Sequence, residues 1–418
     1  MKITFLIHHV YGIGGTIRTT LNLATALADR HDVTIVSMLR RRTQPRFTID
    51  PRVRVVPLVD LREGSADTAD PLLHQPAEVF PAAEKRYQQY SRLTDQRAEE
   101  YLRACDADVI IGTRPGINVY LARFAPPGAL RIGQEHLTHD THAKKLRAQL
   151  ARSYRDLDAL VTTTEADAAV YRAKMSLPGV RVLAIPNGVP DPGLPPSDTG
   201  TGAKVIAAAG RLVRGKRFDL LVDAFSDVAA KHPDWTLRIY GAGTEKDRLQ
   251  QRIDELHLSG RAELMGAVSP IEAEFAKASI VASASDAESF GMTLVEAMRC
   301  GVPVVSTDCP LGPAEIIHNG VDGRLVPKGD RQALAGALLD LVADEPARRR
   351  MGQAARESSH RYDPARIVDA YEALFTDLTA TRRARAWARR RAKWRERAER
   401  WQRRLRAWPR PAGAPASR

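Results

Sequence analysis

Cysteine is scarce. Cys105, Cys300 and Cys309 are the three in 418 residues, none in a CxxC spacing, which excludes a disulfide-stapled scaffold and suits reduced thiols in a cytosolic setting. No apolar run approaches the length of about 18 residues that crosses a bilayer. The run ITFLI after Met1 and Lys2 is too short for the core of a secretory signal. Acidic charge is missing from one place in particular. From residue 380 onward fifteen Arg and Lys face two glutamates, Glu396 and Glu399, a net +13 that equals the charge of the whole chain. Residues 1–379 carry 48 charges of each sign, so the body is neutral and the tail alone is basic. Aromatics make up only 6% of the chain, yet four of its five tryptophans stand in that tail, at 387, 394, 401 and 408. Arginine outnumbers lysine 51 to 12, which points to a GC-rich bacterial genome and says nothing about chemistry.

At this length two domains are expected. The chain opens with the apolar run KITFLIHHV and the glycine loop GIGG. A segment with Ile17, Leu21, Ala24, Leu27 and Ala28 at helical spacing follows, then the β-rich run DVTIVSML, which makes a βαβ unit. DVIIG (108–112), ALRIGQ (129–134) and ALVTTT (159–164) continue a parallel sheet, and 62–85 is an irregular insertion. The stretch IPNGVPDPGLPPSDTGTG, 185–202, holds five prolines and four glycines and marks an interdomain linker. A second strand–helix series follows it: KVIAAAG, LRIYGAG, AELMGAV, SIVASAS, VPVVSTD and GRLVP. Two such series predict two Rossmann-like α/β domains facing across a cleft, with ligands at the carboxyl ends of the strands. The boundaries expected are 1–186 and 187–362 for the domains, 363–379 for a helix returning to the first, and 380–418 for the basic tail.

The loops after the strands carry the chemistry. Gly12, Gly14 and Gly15 allow backbone N–H groups to approach a phosphate at a helix N-terminus. The spacing is not GxGxxG, since Ile17 stands where the third glycine would, and Arg40, Arg41 and Arg42 rather than an acid close the second run. That disfavours NAD and leaves an NADP-dependent oxidoreductase as an alternative. The loop GRLVRGK, 210–216, offers Arg211 and Lys216 to a diphosphate on which negative charge grows during transfer. In ESFGMTLVEAMRCGVPVVSTD, Glu288 and Glu296 stand eight apart around FGMT, which opens a helix. The free N–H groups of Gly291, Met292 and Thr293 form an anion site there. Glutamates near a helix start also simply complement its dipole.

This last element, Glu-x7-Glu with FG inside it, resembles the hallmark of the retaining nucleotide-sugar glycosyltransferases of family 4, which have the two-domain GT-B fold. GRLVRGKRFDLLVDAF, IYGAGTEKDRL, LMGAV, GPAEIIHNGVDGRLVP and PNGV are similar to family segments in family order, and the resemblance covers about 1–378. It implies that Gly14 and Gly15 line the cleft near the donor phosphates and the acceptor, and that Arg211 and Lys216 bind the diphosphate. Gly241 and Gly266 would lie against base and ribose, Glu288 would hold the donor sugar, and Phe290, Gly291, Met292 and Thr293 the phosphates. Glu296 would hold the ribose, and His136, in QEH, would face the reacting sugar. The expected activity is therefore glycosyl transfer with retention from a nucleoside-diphosphate sugar, UDP on family frequency alone, with no metal and no cofactor. A sugar-nucleotide epimerase shares the fold and is told apart by needing no acceptor. DCPLGPAEII, 308–317, resembles the variant in enzymes that decorate polyol-phosphate wall polymers and favours a cell-envelope acceptor.

Two patterns imitate metal sites. DAD at 106–108 runs straight into a strand and so stands at its amino end, and His136, His139 and His142 drift off one helix face without a zinc signature. In the tail, Ala380, Ala384, Trp387, Arg391, Trp394, Ala398, Trp401, Leu405 and Trp408 follow alternating four–three spacing, broken only by Arg391, with Pro409 and Pro411 as the stop. A basic amphipathic helix with tryptophan on its stripe is expected to lie on an anionic membrane surface, which would place the protein in the cytoplasm on the inner face of the plasma membrane. A coiled-coil seam and a nucleic-acid-binding tail are the competing readings; nucleic acid is not the expected partner, and the salt slope of a filter-binding assay would separate it.

Overall fold

In a computed structural model of the chain, residues 1–195, 197 and 204–406 are described. The first sheet is built from β1 (Lys2–Ile7), β2 (Asp32–Arg40), β3 (Arg54–Asp60), β4 (Val109–Gly112), β5 (Leu130–Glu135), β6 (Ala159–Thr162) and β7 (Arg181–Ala184). The second is built from β8 (Val205–Ala209), β9 (Thr236–Tyr240), β10 (Ala262–Gly266), β11 (Ile280–Ser283), β12 (Val304–Asp308) and β13 (Gly323–Pro327). Their orders are β3-β2-β1-β4-β5-β6-β7 and β10-β9-β8-β11-β12-β13, parallel throughout. Both are doubly wound Rossmann-like sheets, with the order reversing at β1/β4 and at β8/β11. Crevices for ligands open at such reversals, at the carboxyl ends of the strands.

Apolar side chains cover both faces of these strands, as parallel sheets require. β4 (VIIG) and β6 (ALVT) are buried at every position. The edge strands β3 and β7 escape the hydrophobic-run reading because they are only half-buried. β3 carries Pro57, which an edge strand tolerates because one row of its backbone groups has no ladder partner to lose. The helix Pro364–Ala380 places Ile367, Val368, Tyr371, Leu374, Phe375 and Leu378 on one stripe. They join the core formed by β1 and the helix Gly15–Leu27, so the chain's end is anchored to the first domain. Each such side chain contributes roughly 1.5–3 kcal/mol on full burial.

The next helix, Arg382–Arg406, begins after Thr381 and docks its first turns beneath the first domain. Arg385, only 9% exposed, donates to Asp158 at 2.5 Å and to the Leu378 carbonyl at 2.6 Å. Arg389 reaches the same carboxylate at 3.0 Å and the carbonyls of Leu157 and Gly179, and Arg382 bonds the Gly128 carbonyl. Burial opposes ionisation of Asp158, yet the Arg131 amide, Arg385 and Arg389 outweigh it and hold its carboxyl below the usual range. These partners precede β5, β6 and β7, so the basic helix sits at the strand ends opposite the cleft. A boundary at 380 therefore separates the helix from the ion pairs that hold it. Trp387, on the outer side of the docked turns, and Trp394 and Trp401 beyond them are 61%, 75% and 65% exposed, and Arg391 lies 5.2 Å over the Trp387 ring. Trp408, Pro409 and Pro411 lie outside the described residues, as does most of the 196–203 part of the linker. Among the described residues no helix is long and apolar enough to cross a membrane.

Candidate active site

The second domain contributes a wall made by the loops after β8, β11 and β12. Lys216 Nζ lies 2.5 Å from Glu288 Oε1, and the Ser285 hydroxyl donates to the same oxygen at 2.6 Å. The stretch at Glu288 is held by a short parallel bridge: its N–H donates to the Pro310 carbonyl at 2.8 Å, and the Leu311 N–H returns a bond at 2.9 Å. Gly312 makes this pairing possible. A Cβ there would lie 1.7 Å from the Phe290 carbonyl oxygen, so any other residue drives the two loops apart. Phe290 is buried edge-on against Tyr362, and Gly291 caps the helix Met292–Arg299. The first N–H groups of that helix have no partner within it and form a partial positive charge beside Glu288. Arg211 is exposed and has no carboxylate within 4 Å among the described residues. Gly241 and Gly266 stand together on the far side, where the Gly241 N–H donates to the Gly266 carbonyl at 2.8 Å. The loop at Gly241 touches that at Gly210, where a Cβ on Gly241 would meet the Gly210 carbonyl oxygen at 1.8 Å. Topology thus strings Gly266, Gly241, Arg211, Lys216 and Glu288 along one edge of the sheet.

Glu296, one turn into the helix, is 3% exposed. Burial pushes its carboxyl up to about 7, against the pull of Arg18 and with a further push from Glu272. Arg18 belongs to the opposite domain. It reaches across from the helix Gly15–Leu27, pairing with Glu272 and placing its Nε 3.4 Å from Glu296 Oε1. Neither Arg18 nor Glu272 announces itself in the sequence, because the contact exists only once the domains face each other. Three more bonds cross the cleft: Thr163 Oγ1 donates to the Ser289 carbonyl at 2.7 Å, and Glu315 accepts the N–H groups of Glu165 and Ala166 at 2.9 and 2.7 Å. Glu315 thereby satisfies the N-terminus of the helix Glu165–Lys174.

A pH dependence follows if Glu296 accepts hydroxyl protons from a ribose. The group is mostly neutral below about 7 and a carboxylate above it, so sugar-nucleotide affinity should fall by up to about tenfold per unit as pH drops below 7 and level off above it. Calorimetric titration of a UDP-sugar, whose phosphates do not titrate there, measures this. Glu296→Gln should flatten the profile. An equally steep profile in that variant would assign the titration elsewhere.

On the first domain, Gly14 and Gly15 open the helix after β1, and a Cβ on either would meet no protein atom, so packing does not demand glycine there. His136 follows β5. Its Nε2 lies 3.2 Å from Gln134 Oε1, while the Gln134 amide donates to the buried Tyr371 hydroxyl at 2.6 Å. With the amide fixed this way, the network assigns the His136 proton to Nε2 and leaves Nδ1 as an acceptor. Burial, with Arg114 adding, lowers the ring to about 4, so it is neutral at physiological pH. Gln134 and Tyr371 are positioning residues that sequence reasoning missed; Tyr371 stands some 237 positions away.

The imitations of metal sites fall elsewhere. Asp106 pairs with Lys2 and Asp108 accepts the Lys2 N–H at 2.8 Å, both at the amino end of β4. His139 bonds Asp140 and packs on Tyr171, while His142 lies 3.4 Å from the buried Glu135, so the three histidines have separate partners. Arg40 is spent on the carbonyls of Arg42 and Thr43.

Comparison with known proteins agrees with this architecture. Residues 13–191 match the profile described as glycosyltransferase family 4, and 195–358 the one described as glycosyl transferases group 1. An exopolysaccharide phosphotransferase of Streptomyces coelicolor is 36% identical over 394 residues, covering 91% of this chain; the chain spans 41% of that relative's length. Among solved structures, sucrose-phosphate synthase of Thermosynechococcus elongatus superposes with a TM-score of 0.74 at 19% identity, over 91% of this chain and 99% of that one. TarM of S. aureus, in complex with Fondaparinux, alpha-GlcNAc-glycerol and UDP, gives 0.73 at 17% identity, over 90% and 99%. With both halves matched and the two-sheet architecture shared, the chain belongs to the family 4, group 1 glycosyltransferases of the GT-B fold.

Proposed function

We propose that this glycosyltransferase moves a sugar from a UDP-sugar to a cell-envelope hydroxyl, with retention at the anomeric carbon and without a metal ion. The observation that carries the reading is Glu288 held by Lys216 beside the N-terminus of the helix Met292–Arg299. That arrangement offers a sugar-hydroxyl acceptor and two sources of positive charge on one wall. Arg211 and Lys216 neutralise the departing diphosphate together with the helix N–H groups, and Glu296 takes the ribose. The acceptor hydroxyl attacks from the face the diphosphate leaves, and its proton passes to that diphosphate. His136, neutral, accepts a hydrogen bond from the reacting sugar. Arg18, already beside Glu296, closes the first domain on the donor and limits hydrolysis by water. UDP accompanies TarM in its solved complex, which supports the choice of nucleotide.

The test is a thermal-shift screen of sugar nucleotides, since a ligand that binds the native state raises its melting temperature. UDP-sugars should give the largest shifts, and transfer to a polyol acceptor should continue in EDTA. Loss of activity on chelation that manganese or magnesium restores would replace Lys216 and Arg211 with a cation. Product formation that needs no acceptor would instead identify an epimerase.

The helix Arg382–Arg406 places the enzyme on an anionic membrane surface. Its exposed tryptophans suit the headgroup boundary, and its arginines suit acidic lipid. This puts an acceptor embedded in the inner face of the plasma membrane within reach.

A further inference from the structure

The irregular segment 62–91 has no part in the donor site, yet it is built firmly over the ends of β1 and β4. The Tyr90 ring stacks on Phe80 at 3.5 Å, and its hydroxyl bonds His8 Nδ1 at 2.9 Å. Gln89 Oε1 bonds His8 Nε2 at 2.9 Å, and Asp95 accepts the N–H groups of Glu78 and Val79 at 2.6 and 2.9 Å. The result is to set Glu84 and Arg86 beside Arg114, which follows β4. Arg114 donates to Glu84 Oε1 at 2.6 Å, and the other oxygen of Glu84 accepts the Arg86 N–H at 3.0 Å. Glu84 is 4% exposed, so its one charge is enclosed and committed.

Arg86 is left over. Its guanidinium reaches Gln89 Oε1 at 3.3 Å, an oxygen already bonded by His8, and no carboxylate lies within 4 Å of it among the described residues. It is partly buried, and burial lowers its pKa; Arg114 beside it and Arg211 of the facing wall add to the effect, against the opposing pull of Glu84 and Tyr90. Arg41 and Arg42 stand exposed after β2, close enough to join Arg86 and Arg114 in lowering the half-buried His9. Burial chiefly, and then Arg114 and Arg86, hold His8 near 2, so the histidines add no charge of their own. Like charges gathered at a reversal point with a single committed carboxylate repel one another, and an anion between them removes that cost.

We propose that Arg86 and Arg114, with Arg41 and Arg42 at the rim, bind an anionic group of the acceptor, a phosphate or carboxylate borne by the chain whose hydroxyl is glycosylated. The inference rests on the glycosyltransferase reading of the cleft and adds the acceptor's charge to it. The donor diphosphate is the other source of an anion, but its cations, Arg211 and Lys216, and its helix belong to the second domain. Arg86 and Arg114 line the first domain's wall instead.

Calorimetry on the full chain tests this with UDP saturating and ionic strength fixed, titrating glycerol 3-phosphate against glycerol. Glycerol 3-phosphate should bind and glycerol should not. Arg86→Gln should weaken the phosphate by about tenfold or more, since one charge-assisted contact is lost, with UDP affinity unchanged. Arg86→Lys should keep most of the binding, which guards against a folding defect. The proposal is overturned if glycerol matches glycerol 3-phosphate, or if Arg86→Gln weakens UDP and leaves the phosphate alone, which would assign Arg86 to the donor. A wild-type protein that takes glycerol 3-phosphate but no sugar nucleotide supports the anion site and removes the donor reading beneath it.

Discussion

Lys216→Ala is expected to lower sugar transfer by about 100-fold or more at saturating donor, and Glu288→Gln by a similar factor. On the proposed reading the two side chains act on opposite ends of the donor. Lys216 meets charge that grows on the leaving diphosphate, so its loss is felt in the transition state more than in binding and should appear in kcat. On the same reading Glu288 offers its carboxylate to the sugar, and Lys216 at 2.5 Å and Ser285 at 2.6 Å fix its position. Removing Lys216 therefore also frees the carboxylate, and the double variant should lose less than the product of the single losses. Neither change should unfold the protein. The pair is partly exposed, with side chains 23% and 13% accessible, and such pairs contribute little to stability. Transfer assays with melting curves check both halves of the expectation. Turnover near the wild-type value in either single variant would remove these residues from the site.

Removing residues 394–418 is expected to lower partition onto anionic vesicles by at least about 100-fold, while leaving UDP-sugar binding unchanged. The deleted segment holds three tryptophans and eight basic residues. Each basic residue near acidic lipid contributes about 1 kcal/mol at low salt, and tryptophan adds its preference for the interface. The place of the cut matters. A cut at 380 would also delete Arg385 and Arg389 and leave Asp158, 8% exposed, without its cations. Losing the docked turns breaks these ion pairs and uncovers the surface beneath them, and instability would then be mistaken for a change in partition. Cutting after Lys393 keeps the clamp. Sedimentation with vesicles of anionic and of neutral lipid gives the measurement. Equal partition of the two proteins would show that the helix has another purpose, and loss of binding to nucleic acid in its place would name that purpose.

Much of the fold was legible because the sheets are parallel and doubly covered. Strands buried on both faces read as continuous apolar runs, and β1, β2, β4, β5 and β6 stand within three residues of the runs that foretold them. The edge strands β3 and β7 were not legible, since an edge is half-solvated and its composition approaches that of a loop. The insertion 62–85 read as irregular; 3-10 turns stand at Ala66–Ala69 and Pro71–His74 within it and at Tyr87–Gln89 just beyond it. Its placement over β1 and β4 gives it a role no spacing reveals, for its partners are His8, Asp95 and Arg114.

The sequence by itself determined the two strand–helix series, the glycine and lysine loops that end strands, the Glu288–Glu296 element and the neutrality of everything before the tail. These are local properties: a hydrophobic period, a turn residue or a charge count is complete within a few dozen residues. Only the tertiary structure decided which distant groups meet. It set Arg18 against Glu296, turned Gln134 toward Tyr371 so that His136 keeps Nδ1 free, and left the Arg86 guanidinium with no carboxylate within 4 Å among the described residues. It also buried Arg385 on Asp158 at the end of the molecule away from the cleft. The reason is physical. Burial and Coulomb interaction depend on separation in space, so a residue's neighbours, and with them its charge state, are fixed when the sheets twist and the domains close.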